Sequence, residues 1–566
     1  MRTSFASAPV VAIASLGVLL ILGPVIATVW IAFTLGIPGH GEYSLANFSR
    51  VALDPFGYRV IGNTLIFATG ATAIALAIAA PLAWAVARTD IPFRRSIILL
   101  LGMILVVPGF LQAMGWALLL SPNIGIVNQY LMEWFSLDSA PFNIFSLGGM
   151  TFAEGLGLVP PAYFIISAVF SGMDGSLEEA ASMSGAGKFR TFVRINLPLA
   201  VPALAAAAIY VFVLAFAVFE VPMVLGFPDR IFVFSTMLYL IVQLPQSGLP
   251  EYGAAAAYGC LVMFASLVMA HYYIRLIGNT RKYTTITGKG RRSKTLKLGK
   301  WRPLACILIS AYFLLALGLP LIVLIYFSLL PYFQLPSMEA LAAMNLQNYV
   351  DVYTRQGARP LINTGILVAT VPIAVVIIAT AISWVVVRSR LRARFIFDSI
   401  AFLPIAIPRI VLAVAILYLA LSAREIVPIY ATLAVLVLAQ IIAFISFATR
   451  TLNGAILQIH PDLEDAGRLS GASLFTTLRK ITAPLLGPAL FAAWFWVLLL
   501  SFREVTIAVM LTSADSIVLP VQVWNLWNTV SPNQAAAAAV MLAVIALGLM
   551  LAMRRIAERV FASGGH

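Results

Sequence analysis

The chain has 566 residues, of which 61% are hydrophobic and only 10% charged, against roughly a quarter charged in an ordinary soluble domain. A single anchor of about 20 apolar residues cannot account for a mean hydropathy of +0.99, so a soluble enzyme is excluded and most of the chain lies in lipid. The 36 Lys and Arg exceed the 22 Asp and Glu by 14, and where those charges stand decides what they mean.

Taken in chain order, a short n-region with Met1 and Arg2 precedes an apolar stretch from Pro9 to Leu35. That stretch outruns a signal-peptide core of about 7–15 residues and reads as a retained first span. Apolar runs follow near 61–87, 96–120, 152–171, 199–222 and 254–274, then near 304–330, 361–387, 396–420, 429–449, 485–510 and 535–553. This predicts an all-α polytopic membrane protein with about twelve spans, because backbone groups in lipid must bond within their own segment. A β-barrel would instead alternate in segments of about ten residues. Cys260 and Cys306 each sit inside an apolar run, which supports neither a disulfide framework nor a thiolate metal site.

Basic residues mark the cytoplasmic side of short loops. Residues 275–302 hold Arg275, Arg281, Lys282, Lys289, Arg291, Arg292, Lys294, Lys297, Lys300 and Arg302 with no acid among them, whereas the loop from Ser121 to Met150 carries Glu133 and Asp138 but no Lys or Arg. The first is therefore expected inside and the second outside, with both termini in the cytoplasm. A basic run between two membrane helices is better suited to anionic lipid headgroups than to nucleic acid.

The linker divides the chain into two like halves, expected as domains 1–274 and 303–566 joined by 275–302. Asn63-Thr64 recurs as Asn363-Thr364, Trp84 as Trp384, Arg88 as Arg388 and Pro108 as Pro408, an offset of 300. About six spans in each half set the copies parallel, able to face each other about an axis normal to the membrane. Further on the offset falls to 286, and a loop motif appears twice. The first copy, in the loop 174–198, reads Glu179-Ala180-Ala181, three residues, Gly185, nine residues, Ile195-Asn196-Leu197-Pro198. The second, in the loop 460–484, reads Asp465-Ala466-Gly467, three residues, Gly471, nine residues, Ile481-Thr482-Ala483-Pro484. Leu177 to Ser184 and Asp462 to Ser470 read as short amphipathic helices with acids in the first turn, Glu178-Glu179 and Glu464-Asp465, where the helix dipole favours them. Gly185 and Gly471 are the expected stops.

This motif resembles the EAA loop of the membrane subunits of binding-protein-dependent ABC importers, and the resemblance covers practically the whole chain. It implies the type I (MetI-like) transmembrane fold as two parallel six-helix repeats in a bacterial inner membrane. It also implies a non-catalytic subunit without a cofactor, and partners comprising two cytoplasmic ATPase copies and a periplasmic or lipid-anchored binding protein. In that family the short helix docks on the ATPase, which would give the role of coupling residues to Glu178, Glu179, Ala180, Ala181, Gly185 and Pro198 and to Glu464, Asp465, Ala466, Gly467, Gly471 and Pro484. The second copy departs from the pattern at Asp465, Gly467 and Ala483. A single chain with two such halves is similar to the ferric-iron and thiamine permeases, so ferric iron is the first expectation for cargo, ahead of thiamine, phosphonate, polyamine or sulfate.

The sequence holds no phosphate-binding loop of the GxxxxGK[ST] type: Gly187-Lys188 is followed by Phe189, and Ser182 stands where the first glycine is needed. ATP hydrolysis is therefore expected on a partner chain. The histidines His40, His271, His460 and His566 are too scattered for a ligand set. Ionisable residues within spans are costly and mark pathways or partners, which singles out Glu220, Arg503 and Glu504. Glu154 and Asp398 stand at span starts and read as interfacial. Glu220 and Glu504 would be the ion-coupling carboxylates if the chain were instead a gradient-driven secondary transporter, which can share this duplicated layout.

Overall fold

The computed structural model describes residues 8–36, 41–173, 176–245, 249–280, 296–389, 391–529 and 531–562. Most of the basic linker, 281–295, and residues 174–175 of the first motif loop lie outside the described residues. Apart from an antiparallel hairpin of Thr34–Leu35 with Glu42–Tyr43, the elements are helices. Nine described helices are long and apolar enough to cross a membrane: Ala8–Ala32, Pro55–Arg88, Phe192–Ala217, Tyr252–Tyr272, Gly299–Ser328, Arg359–Arg388, Leu433–Gln458, Arg479–Arg503 and Pro532–Arg559. The count reaches twelve if three bent pairs each form one span: Arg94–Val106 with Gly109–Leu120, Leu147–Gly157 with Val159–Gly172, and Arg394–Ile405 with Arg409–Ser422, bent by 92°, 44° and 104°.

The two sharpest bends share one cause. A proline forces the residue before it out of the helical region, and Val107 and Ile407 are extended, with ψ of 124° and 120°. Pro108 and Pro408 then become the first caps of the helices Gly109–Leu120 and Arg409–Ser422. The repeated prolines therefore break two spans at the same point of each half.

The chain forms two compact units, and they do not follow the linker. One comprises Met1–Asp54, Leu238–Met263 and Gln347–His566, the other Pro55–Met237 and Phe264–Leu346. In the first unit, Arg359–Arg388 packs against Leu433–Gln458 and Ala483–Arg503, and the N-terminal helix Ala8–Ala32 lies on Arg359–Arg388, Arg394–Ala406 and Arg409–Ser422. In the second, Pro55–Arg88 packs against Val159–Gly172, Leu147–Gly157 and Leu197–Ala217, while Leu319–Ser328, from beyond the linker, lies on Gly109–Leu120. Each unit thus takes the first span of the other sequence half.

Asn63-Thr64 and Asn363-Thr364 do the same work in the two units. Thr64 Oγ1 accepts the Phe234 N–H and Thr364 Oγ1 the Leu519 N–H, both at 2.9 Å. Asn63 donates to the Phe232 carbonyl, and Asn363 to those of Asp515 and Ile517. A buried hydroxyl and a neighbouring amide, buried at Asn363 and half-buried at Asn63, thereby satisfy free main-chain groups at the start of the helices Phe234–Gln243 and Leu519–Asn528.

Candidate functional site

The two motif loops fold alike. The short helices Ser176–Met183 and Asp462–Leu469 have eight residues each. Gly185 and Gly471 close them in left-handed conformation, at φ +75° and +82°. The Ala186 N–H reaches back to the Ala181 carbonyl at 2.9 Å, and that of Ala472 to Gly467 at 3.1 Å, the six-to-one bond of a glycine-terminated helix. A π-helical turn follows in both, Phe192–Asn196 and Leu478–Thr482, before Pro198 and Pro484 near the N-termini of Leu197–Ala217 and Ala483–Arg503. A proline has no N–H and crowds the carbonyl four residues back, which accounts for the widened turn ahead of it.

Each helix is anchored by its glutamate. Glu178 is buried, and Arg88 grips it with both arms of its guanidinium, Nε to Oε1 at 2.9 Å and Nη2 to Oε2 at 2.8 Å, while Nη1 donates to the Met173 carbonyl. The Asn196 amide adds a bond to Oε1 at 2.5 Å. In the second copy Arg388 Nε donates to Glu464 Oε1 at 3.0 Å, and Nη2 is spent on the carbonyls of Ile456 and Ile459. Thr482 stands where the first copy has Asn196, and its buried hydroxyl has no hydrogen-bond partner. The first clamp is thus a forked ion pair with an amide, the second a single contact; forked pairs are the stronger and more directional.

Ala180 and Ala466 are exposed, as is Asp465; Glu179 lies in the first helix, with its side chain outside the described residues. Met183 and Leu469, at matching positions, are 83% and 90% exposed, an apolar knob on each helix that sequence reading overlooked. Ala181 is buried on the anchored side. At its counterpart Gly467, an added Cβ would lie 2.8 Å from Ile481 Cδ1, which gives the departure from alanine a packing reason.

Glu220 and Glu504 occupy related places beside the broken spans. Glu220 is buried, and its Oε2 accepts the Phe110 N–H at 3.3 Å, at the N-terminus of Gly109–Leu120, where a helix dipole favours an anion. A Cβ on Gly109 would come within 2.9 Å of that oxygen. In the second half Arg409 takes the position of Gly109 and forms an ion pair with the fully buried Glu504, whose other oxygen accepts the Ile507 N–H at 3.0 Å. The Arg409 guanidinium also lies over the Phe444 ring, 5.5 Å from its centre. Arg503 ends the helix Ala483–Arg503. Sequence reading missed Arg409, although an arginine inside the apolar run 396–420, one residue after a repeated proline, was the signal. Glu154 is buried, and Asp398 pairs with Arg450 at 3.2 Å. Among the described residues no three His, Cys, Asp or Glu side chains converge as a metal site would require. A cavity of about 350 Å³ in the first unit is lined by uncharged polar groups of Gln243, Tyr252, Tyr430, Thr512 and Ser513 together with apolar neighbours.

Two like sets of broken spans, each with an anchored loop helix, make this a multi-pass α-helical membrane protein. Residues 374–562 match the family of binding-protein-dependent transport system inner membrane components. The chain is 26% identical over 485 residues to a ferric transport system permease protein of Actinobacillus pleuropneumoniae, covering 84% of this chain and 68% of that one. It is 26% identical over 478 residues to a putative ferric transport system permease of Haemophilus influenzae, covering 82% and 72%. A spermidine/putrescine transport system permease of Escherichia coli is 28% identical over 187 residues, 32% of this chain and 66% of that one. Among solved structures, a bacterial ABC transporter involved in import of the acidic polysaccharide alginate aligns with a TM-score of 0.38 and 18% identity over 46% of this chain and 96% of its own. Residues 374–562 thus resemble a binding-protein-dependent transport component, and most of the chain is similar to ferric transport system permeases.

Proposed function

We propose that the chain forms the translocation pathway of an ATP-driven importer and is driven through its two motif loops. The halves 1–274 and 303–566 are the two permease repeats, the linker 275–302 faces the cytoplasm with both termini, and two ATPase copies dock on Ser176–Met183 and Asp462–Leu469. A binding protein delivers cargo from the other side. The observation that carries the reading is the repeated clamp: a short helix anchored on one face by Arg88–Glu178 or Arg388–Glu464, with an apolar knob on the other, is a lever that can pass a partner's movement to the spans. Ferric iron is the proposed cargo, because the relatives aligned over most of the chain carry that name. A gradient-driven mechanism would need carboxylates that bind a coupling ion in the path; Glu504 is instead held by Arg409 and a main-chain N–H, and Glu220 caps a helix.

Reconstitution of the chain with its ATPase and binding protein in vesicles tests this. Uptake of ferric iron should require ATP, and crosslinks to the ATPase from Ala180→Cys and Ala466→Cys should change with nucleotide. Uptake that persists without ATP would overturn the reading.

A further inference from the structure

The far end of the linker is pinned to the chain where it leaves the helix Pro55–Arg88. The Leu296 N–H donates to the Arg88 carbonyl at 2.9 Å, and the Asp90 N–H donates to the Leu296 carbonyl at 3.0 Å, so that Thr89 and Leu296 form an isolated parallel bridge. Asp90 Oδ1 accepts the Leu298 N–H at 2.7 Å. Thr89, Ile91 and Leu298 are buried beneath this crossing, and the Arg94 guanidinium donates to the Thr89 carbonyl. Arg88 is therefore held twice. Its main chain is bound by the linker, and its side chain holds Glu178 and, through it, the first loop helix. At the matching place in the second half the sequence reads Arg388-Ser389-Arg390, with a base where Asp90 supplies the acceptor.

We propose that Leu296–Leu298 is a strap, fastened by Asp90, that positions Arg88 and stiffens the first loop helix but not the second. Asp90 is a positioning residue that acts through Arg88. The supports of the two loops then differ by construction: the first depends on a segment of the linker that joins the halves. What the helix does in transport rests on the proposed function; the positioning does not.

The test uses the full-length chain with Cys260→Ser and Cys306→Ser, carrying one spin label at Ala180→Cys or at Ala466→Cys. Asp90→Ala, and separately Leu296→Pro, which removes the N–H that reaches Arg88, should raise label mobility at 180 and leave 466 unchanged. Asp90→Asn, which keeps an acceptor oxygen, should restore most of the order, and it keeps the test open if Leu296→Pro does not fold. Equal changes at both positions, or none at 180, would overturn the strap. With the ATPase and binding protein added, Asp90→Ala should raise the ATP consumed per cargo about threefold. Raised mobility with an unchanged ratio would support the strap and count against the coupling role of the helix, so the two ideas fail separately.

Discussion

Glu178 and Glu464 are the same residue of a repeat, yet their surroundings compensate them unequally. Removing one partner of a buried ion pair costs about 3–5 kcal/mol because the other charge is left stranded. Arg88, 2% exposed, would lose both forked bonds on Glu178→Ala and keep the Met173 carbonyl on Nη1. Arg388 is 12% exposed and keeps two carbonyl acceptors without Glu464, so Glu464→Ala should cost less, about 2 kcal/mol. Thermal unfolding in detergent should place Glu178→Ala clearly below Glu464→Ala; equal losses would contradict the difference between forked and single clamps. The same reasoning applies at Arg409. Arg409→Gly imitates the first half, where Gly109 occupies that position, but strands the buried Glu504, and about 3 kcal/mol should be lost. Adding Glu504→Gln should recover much of it, and a double-mutant cycle measures the coupling.

The loop helices were legible because several independent signals agreed on them: acids in the first turn, a glycine stop and a proline at a fixed distance, all occurring twice. The partners of the glutamates were not. Arg88 and Glu178 are 90 positions apart, and the sequence showed one as a repeated basic residue at a span end and the other as an acid of a loop helix, with nothing to pair them. Arg409 was hidden for a different reason. Alignment of the halves highlights what repeats, and an arginine facing a glycine is a mismatch that gains meaning only when both are seen beside a buried carboxylate. The glycines of the motif likewise have distinct roles. Gly185→Ala and Gly471→Ala force a side chain into the left-handed region at about 1–2 kcal/mol each. Gly467→Ala only has to displace the end of Ile481 and should cost under about 1 kcal/mol. Circular dichroism melts of the three variants would separate them, and a Gly467→Ala penalty as large as that of Gly471→Ala would refute the packing account. Met183→Ser and Leu469→Ser touch exposed positions and should leave stability within about 0.5 kcal/mol. If the knobs seat in a partner, each should lower ATP-dependent uptake about tenfold or more, as loss of an interface anchor does; unchanged uptake in the double variant would remove them from the interface.

At the scale of the chain, duplication was readable and its spatial consequence was not, because a hydropathy profile orders spans along the sequence without saying which neighbour each one chooses. Ala8–Ala32 belongs to the first half but packs on Arg359–Arg388 of the second, so closely that a Cβ on Gly17 would lie 2.4 Å from Ile378 Cγ2. Leu319–Ser328 has the converse place on Gly109–Leu120. In a membrane, where lipid supplies no hydrophobic drive between helices, such close approaches at small residues are what hold spans together. Neither half made alone contains a full set of partners: residues 303–566 lack the helix that covers Arg359–Arg388, and residues 1–274 lack the helix that covers Gly109–Leu120. Each half expressed by itself should therefore be degraded or aggregate, whereas the two co-expressed as separate chains cut between 281 and 295 should co-purify through detergent. Gly17→Leu should weaken that co-purification, because its side chain must displace Ile378 and Ile382. Recovery of a stable, monodisperse 303–566 fragment without the first helix would show that the exchange of spans is dispensable for folding.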